Sequence, residues 1–182
     1  MRGLLQTAVY LNTLRAVDYH FARRMEVLAG EANADLLLAA ALASHRVGEG
    51  DVCVDLARCG DFPLFQAEGP APPIALPPAE EWVRSLRRSP VVGRPGEPAP
   101  LILDEHGRLY LARYWHFERI LADAIGQRVR AWVPGVDRQR LRRGLDRLFS
   151  ANGEIDWQRV AAAVAVLRPL CVVSGGPGTG KT

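Results

Sequence analysis

The chain has 182 residues and a mass of 20.0 kDa, enough for one domain and part of a second, and its 48% hydrophobic and 24% charged content excludes a disordered tail. No apolar run approaches the roughly 18 residues of a membrane helix, and Asn12, Arg15 and Asp18 break any secretory stretch, so a cytoplasmic protein is expected. Three cysteines without a Cys-x-x-Cys pair suggest neither a disulfide framework nor a zinc site, while a net charge of +3 and a pI near 9.0 permit a nucleic-acid partner without demanding one.

Leu4, Leu5, Ala8, Leu11 and Leu14 recur at helical spacing, and Phe21, Met25 and Leu28 continue that period after Asp18, which is read as an N-cap. Asn33 caps a third predicted helix over 34–47, apolar nearly all round and therefore buried, with Gly48 and Gly50 ending it. Val52, Val54 and Leu56 alternate with Cys53 and Asp55 as a half-buried strand does. Six prolines between Asp61 and Pro78 predict a surface loop.

A short helix is expected over 80–88, then strands over 91–92, 101–103 and 108–112, separated by turn signals at 93–100 and 105–107. Helices over 114–126 and 136–149 follow, and a last one over 157–167 is capped by Asp156 and stopped before Pro169. Residues 170–174 read as a buried apolar strand of the kind a parallel sheet holds, but with no parallel neighbours to pair with in this chain they are expected to be poorly supported and solvent-exposed.

That strand leads into Gly175, Gly176, Pro177, Gly178, Thr179, Gly180, Lys181 and Thr182. The run GGPGTGKT satisfies the phosphate-loop pattern G-x-x-x-x-G-K-[ST] in the required position after a strand. Its glycines let backbone N–H groups surround phosphate oxygens, Lys181 would reach the β- and γ-phosphates of ATP, and the Thr182 hydroxyl would meet Mg²⁺. Lys181 is also the only lysine beside 22 arginines. The groups that complete hydrolysis in such proteins lie further along the chain, so this stretch is expected to bind nucleotide weakly or not at all and not to hydrolyse it alone.

The segments 155–163 and 172–182 resemble the start of the motor in the RecD family, the alpha subunits of bacterial exodeoxyribonuclease V. The runs 44–56 and 108–115 are similar to that family's N-terminal domain. The resemblance implies an α/β protein: a small mixed α+β N-terminal domain, then the first helix, strand and P-loop of a truncated RecA-like helicase domain. It divides the chain into a partner-contact domain at 1–115, a helical connection at 116–150 and the beginning of the motor at 151–182.

It also implies an ATP-dependent 5′-to-3′ DNA helicase subunit that acts with RecB-like and RecC-like subunits in a heterotrimeric helicase/nuclease of double-strand-break repair. Gln158, seventeen positions before Gly175, lies where that family's adenine-recognising glutamine is expected. A carboxamide suits adenine because it donates and accepts at once. Two other readings stay open: an adaptor contacting a RecC-like subunit, and an unrelated P-loop enzyme, although such enzymes place the loop near the chain start.

Seven arginines between Arg128 and Arg147 face only Asp137 and Asp146. They are read as a solvated helix face, with DNA or an acidic partner as the alternative. Tyr114, Trp115 and Phe117, with Trp82, Trp132 and Trp157, are assigned to core or interface packing. The four histidines, His20, His45, His106 and His116, show no metal-ligand spacing.

Overall fold

An all-round apolar helix cannot satisfy its side chains at a surface, and the fold is arranged around the one that this sequence contains. The computed structural model describes residues 1–65, 73–149 and 155–178. Among these are seven helices and a four-stranded sheet, grouped into two compact units, Met1–Glu118 and Arg119–Thr182.

In the first unit α1 (Arg2–Tyr10) and α2 (Ala16–Ala29) lead to α3 (Ala34–Gly48), which is buried continuously from Leu36 to Ser44. Asn33 caps α3 by accepting the Leu36 N–H at 3.0 Å. The helix runs through Gly48, and it is Gly50, at φ 97°, that turns the chain away. Asp18 is not the N-cap of α2: Arg15 holds that position, and Asp18 sits three residues on, fully buried.

Its carboxylate accepts from the Arg15 guanidinium at 2.6 and 2.8 Å and from the Ser44 hydroxyl at 2.7 Å, and it lies 3.1 Å from His45 Nδ1. Arg15 Nη2 also donates to the Ser44 carbonyl at 2.7 Å. Burial alone would raise the Asp18 pKa, but the hydrogen bonds from Arg15, Ser44 and His45 outweigh it and hold the carboxyl below its ordinary value.

The strands β1 (Cys53–Asp55), β2 (Val92–Gly93), β3 (Leu101–Leu103) and β4 (Arg108–Leu111) form one sheet in the order β1-β4-β3-β2. β4 is antiparallel to both neighbours, with Val54 opposite Leu109 and Ile102 opposite Tyr110. β2 runs parallel to β3, pairing Val92 with Leu101. The β3–β4 hairpin is closed by Asp104, which accepts the N–H groups of His106 and Arg108, each at 2.9 Å, and the Arg108 Nε at 2.7 Å, with Gly107 at φ 76°.

The sheet is covered on both faces. Leu101, Leu103 and Leu109 join the core with α3, while Tyr110 on the other face meets the Trp115 ring edge-on at 5.0 Å. α4 (Ala79–Leu86) adds Trp82, fully buried, whose indole donates to the Asp35 carbonyl at 3.0 Å.

The proline-rich stretch was expected to lie wholly on the surface, but its described residues also fill the core. Phe62, Leu64 and Ile74 are buried, a short 3₁₀ turn occupies Pro63–Phe65, and Phe62 packs edge-on against His45 with Arg46 over its ring. Apolar residues outrank the prolines here because the prolines constrain backbone hydrogen bonding and leave the neighbouring side chains free to pack.

α5 (Ala112–Arg130) begins in the first unit and ends in the second. Within the second unit follow α6 (Arg138–Leu148) and α7 (Trp157–Leu167), neither containing a buried residue. Asp137 caps α6 and Asp156 caps α7, each accepting two backbone N–H groups. An Arg159–Asp146 ion pair joins the two helices.

Arg168 closes the last turn of α5. It donates to the carbonyls of Val129 and Ala131 at 3.3 and 3.1 Å and lies 3.6 Å from the centre of the Trp132 ring. Trp132 is therefore a half-exposed stacking surface and not a core residue. No helix among the described residues is long and apolar enough to cross a membrane.

Candidate nucleotide-binding site

The strand read over 170–174 has not formed, and the segment is solvent-exposed, as expected of it without parallel neighbours. Val172 is 84% and Val173 50% exposed, and the segment carries no sheet pairing. An apolar run becomes a strand only when a neighbouring strand accepts its backbone groups, and the described sheet is confined to residues 53–111. The chain nevertheless stays close to α7, and between them is an open groove of about 760 Å³.

That groove is lined by Trp157, Gln158, Ala161 and Ala165 of α7 on one side and by Cys171 through Gly175 on the other, with Phe149 also lining it. Gln158 and Gly175, seventeen residues apart in sequence, thus contribute to one concave surface. The position of Gln158 follows from local chemistry: the Asp156 cap accepts its backbone N–H at 2.9 Å, which starts α7 there and turns the exposed first turn toward the groove.

Trp157 was assigned to packing, yet it is 71% exposed and lines the same groove. It sits at the first position of α7, a helix that contains no buried residue and so offers no covered side for an indole. Its composition carried no signal, because a tryptophan beside an apolar helix reads as core whether or not something covers it. Phe149 and Cys171 were likewise missed as lining residues.

Of the phosphate-loop residues, Gly175, Gly176 and Pro177 are exposed, and Gly178 has φ 75°, a left-handed conformation that side-chain-bearing residues rarely adopt. A succession of small residues and one left-handed turn is what a backbone cradle for an anion requires, so the residues present fit a phosphate-bearing ligand. Thr179, Gly180, Lys181 and Thr182 lie outside the described residues.

Elsewhere, the chemistry of the first unit is quiet. Burial pushes the Cys59 thiol up to about 11 and raises Cys53, which stands opposite Tyr110 across β1 and β4. Among the described residues no group of His, Cys, Asp and Glu is placed to hold a metal ion.

Three relatives are similar over nearly the whole chain, and each is described as RecBCD enzyme subunit RecD. The protein of Mycolicibacterium smegmatis is 37% identical over 174 residues, covering 95% of this chain and 28% of its own length. That of Mycobacterium tuberculosis H37Rv is 33% identical over 181 residues, covering 99% and 28%. That of Haemophilus influenzae is 28% identical over 207 residues, covering 100% and 31%.

The chain therefore spans under a third of the length of these relatives. Residues 11–110, more than half of the chain and nearly all of the first unit's buried core, match the family described as RecBCD enzyme subunit RecD, N-terminal domain. The chain belongs to the RecD family.

Proposed function

We propose that this chain is part of an ATP-dependent 5′-to-3′ DNA helicase subunit, working with RecB-like and RecC-like partners in double-strand-break repair. The observation that carries the reading is the groove shared by Gln158 and Gly175, the first residue of GGPGTGKT, in a member of the RecD family. In this reading 151–182 opens a RecA-like P-loop domain, and the first unit serves chiefly as the partner-contact domain.

The roles of the residues follow from their chemistry. Gly175, Gly176, Pro177, Gly178, Thr179 and Gly180 provide the backbone cradle, Lys181 a compact positive charge for the terminal phosphates, and Thr182 a hydroxyl for Mg²⁺. Gln158 reads the adenine edge, and the exposed Trp157 offers an indole face beside it. ATP hydrolysis supplies the free energy for movement along DNA.

The test is DNA-stimulated ATP hydrolysis by the intact gene product co-purified with its partners. Lys181→Ala should abolish it, and Gln158→Ala should reduce the preference for ATP over GTP by tenfold or more, since a site built to hydrogen-bond one base discriminates through those bonds. Unchanged hydrolysis in Lys181→Ala would remove the proposal. Unchanged base preference in Gln158→Ala would remove the adenine role alone.

A further inference from the structure

Formal charge is divided unevenly between the two units. The first holds twelve arginines against fifteen carboxylates, a formal −3, and the second holds ten arginines and Lys181 against five, a formal +6. A genome-wide preference for arginine would act on both units alike, so it does not account for a surplus in only one of them.

The surplus is concentrated on α6. At 3.6 residues per turn, Arg140, Arg143 and Arg147 fall on one face, nearly opposite the half-buried Leu141 and Leu145. All three are exposed, and among the described residues none of their guanidinium groups forms an ion pair with a carboxylate.

The nearby acids are already engaged. Asp137 accepts the N–H groups of Gln139 and Arg140 as the helix cap, and Asp146 is paired with Arg159 of α7. Like charges three and four residues apart, as at Arg140 and Arg143 or Arg143 and Arg147, repel along a helix and weaken it. A polyanion laid along the face would remove that repulsion.

We propose that the Arg140, Arg143 and Arg147 face of α6 binds the phosphate backbone of DNA, outside the nucleotide groove; this rests on the DNA-acting reading above. The three side chains extend over about 10.5 Å of helix axis at ~1.5 Å per residue. That is close to the axial run of three phosphate steps at about 3.4 Å each along one strand. A guanidinium presents paired donors to phosphate oxygens, and the contact carries no base information, as a protein moving along DNA requires.

The experiment is fluorescence anisotropy of a labelled oligothymidylate with the 182-residue chain, across a range of salt concentrations. Replacing Arg140, Arg143 and Arg147 together by Gln should lower low-salt affinity at least tenfold and reduce the slope of log affinity against log salt by about 2, at ~0.7 per phosphate of a single strand. The triple replacement by Lys should retain binding.

Arg84, Arg87 and Arg88 of the first unit are also exposed, so their replacement by Gln removes the same charge elsewhere. An equal loss there would show that net charge alone is responsible and would overturn the inference. So would absence of binding by the unchanged chain, or polyglutamate competing as well as the oligonucleotide, which would make the face a site for an acidic protein.

The two proposals fail separately. If the α6 variant binds DNA normally while Lys181→Ala still abolishes hydrolysis by the intact gene product, the helicase reading stands and this surface does not. If Lys181→Ala is without effect while the α6 variant loses DNA, the surface stands and the ATP-driven reading falls.

Discussion

A carboxylate taken fully out of water costs several kcal/mol unless donors surround it, and Asp18 meets that condition with Arg15, Ser44 and His45. The residue ties the start of α2 to the last turns of α3, the helix that carries the core. Asp18→Asn keeps the size but loses the charge facing Arg15, and it should destabilise the fold by about 1–3 kcal/mol, the scale of weakened charge-assisted hydrogen bonds to a buried group whose partner is half-exposed. Because the folded-state pKa lies below the ordinary 3.8, this contribution is complete above that value and is lost as pH falls through the folded pKa. Urea melts at stepped pH should therefore show the parent chain losing its advantage over Asp18→Asn in that acid range. A stability difference that stayed constant down to the acid limit would show that shape, not charge, makes the contact. Sequence reading found this residue but gave it the wrong task, because an aspartate near a helix start looks the same whether it caps that helix or holds the preceding arginine and a serine of another helix.

At the level of elements, legibility followed how local each cause was. α3 and α7 were readable to within a residue because Asn33 and Asp156 cap them from positions visible in the sequence. β3 was readable as a short apolar run between turn signals. Residues 170–174 gave the same apolar signal and formed no strand, since pairing depends on a neighbour that the run itself does not encode. Of the residues that line the groove, Gln158 and Gly175 were singled out in the sequence and Trp157 was not, because exposure is a property of what surrounds a residue. Parallel pairing of β2 with β3 was not legible at all, since a parallel connection ordinarily takes a dozen or more residues and only residues 94–100 intervene here. The short connection works because Gly93 lets the returning chain approach: a Cβ there would lie 2.8 Å from the Ala99 Cβ. Gly93→Ala should accordingly cost about 1–3 kcal/mol, the range for overpacking, and a double variant with Ala99→Gly should recover part of it. Thermal melts of the three chains check this, and a silent Gly93→Ala would mean that the β2 end of the sheet adapts freely.

Across the whole molecule, burial and stability are distributed unequally. Every fully buried hydrophobic residue among those described lies between Leu5 and Tyr110, whereas α5, α6 and α7 contain none. The second unit is held instead by caps, by the Arg159–Asp146 pair and by Arg168 on the α5 carbonyls, and it leaves Ile120, Leu121, Val129 and Trp157 exposed. Surface pairs and caps contribute about 1 kcal/mol apiece, while each fully buried large apolar side chain contributes about 1.5–3. The second unit should therefore open at a lower free energy than the first. The tryptophans report the two separately: Trp82 and Trp115 are in the first unit, and Trp132 and Trp157 are in the second. With Trp82 and Trp115 replaced by Phe, urea should shift the fluorescence of Trp132 and Trp157 well before far-ultraviolet circular dichroism reports loss of α3. Hydrogen exchange of the unchanged chain should show α3, β3 and β4 protected to global unfolding and α6 and α7 exchanging faster at every urea concentration. Coincident transitions and uniform protection would instead require a cooperative coupling between the units strong enough to offset the missing buried core, and would overturn the ordering argued from burial.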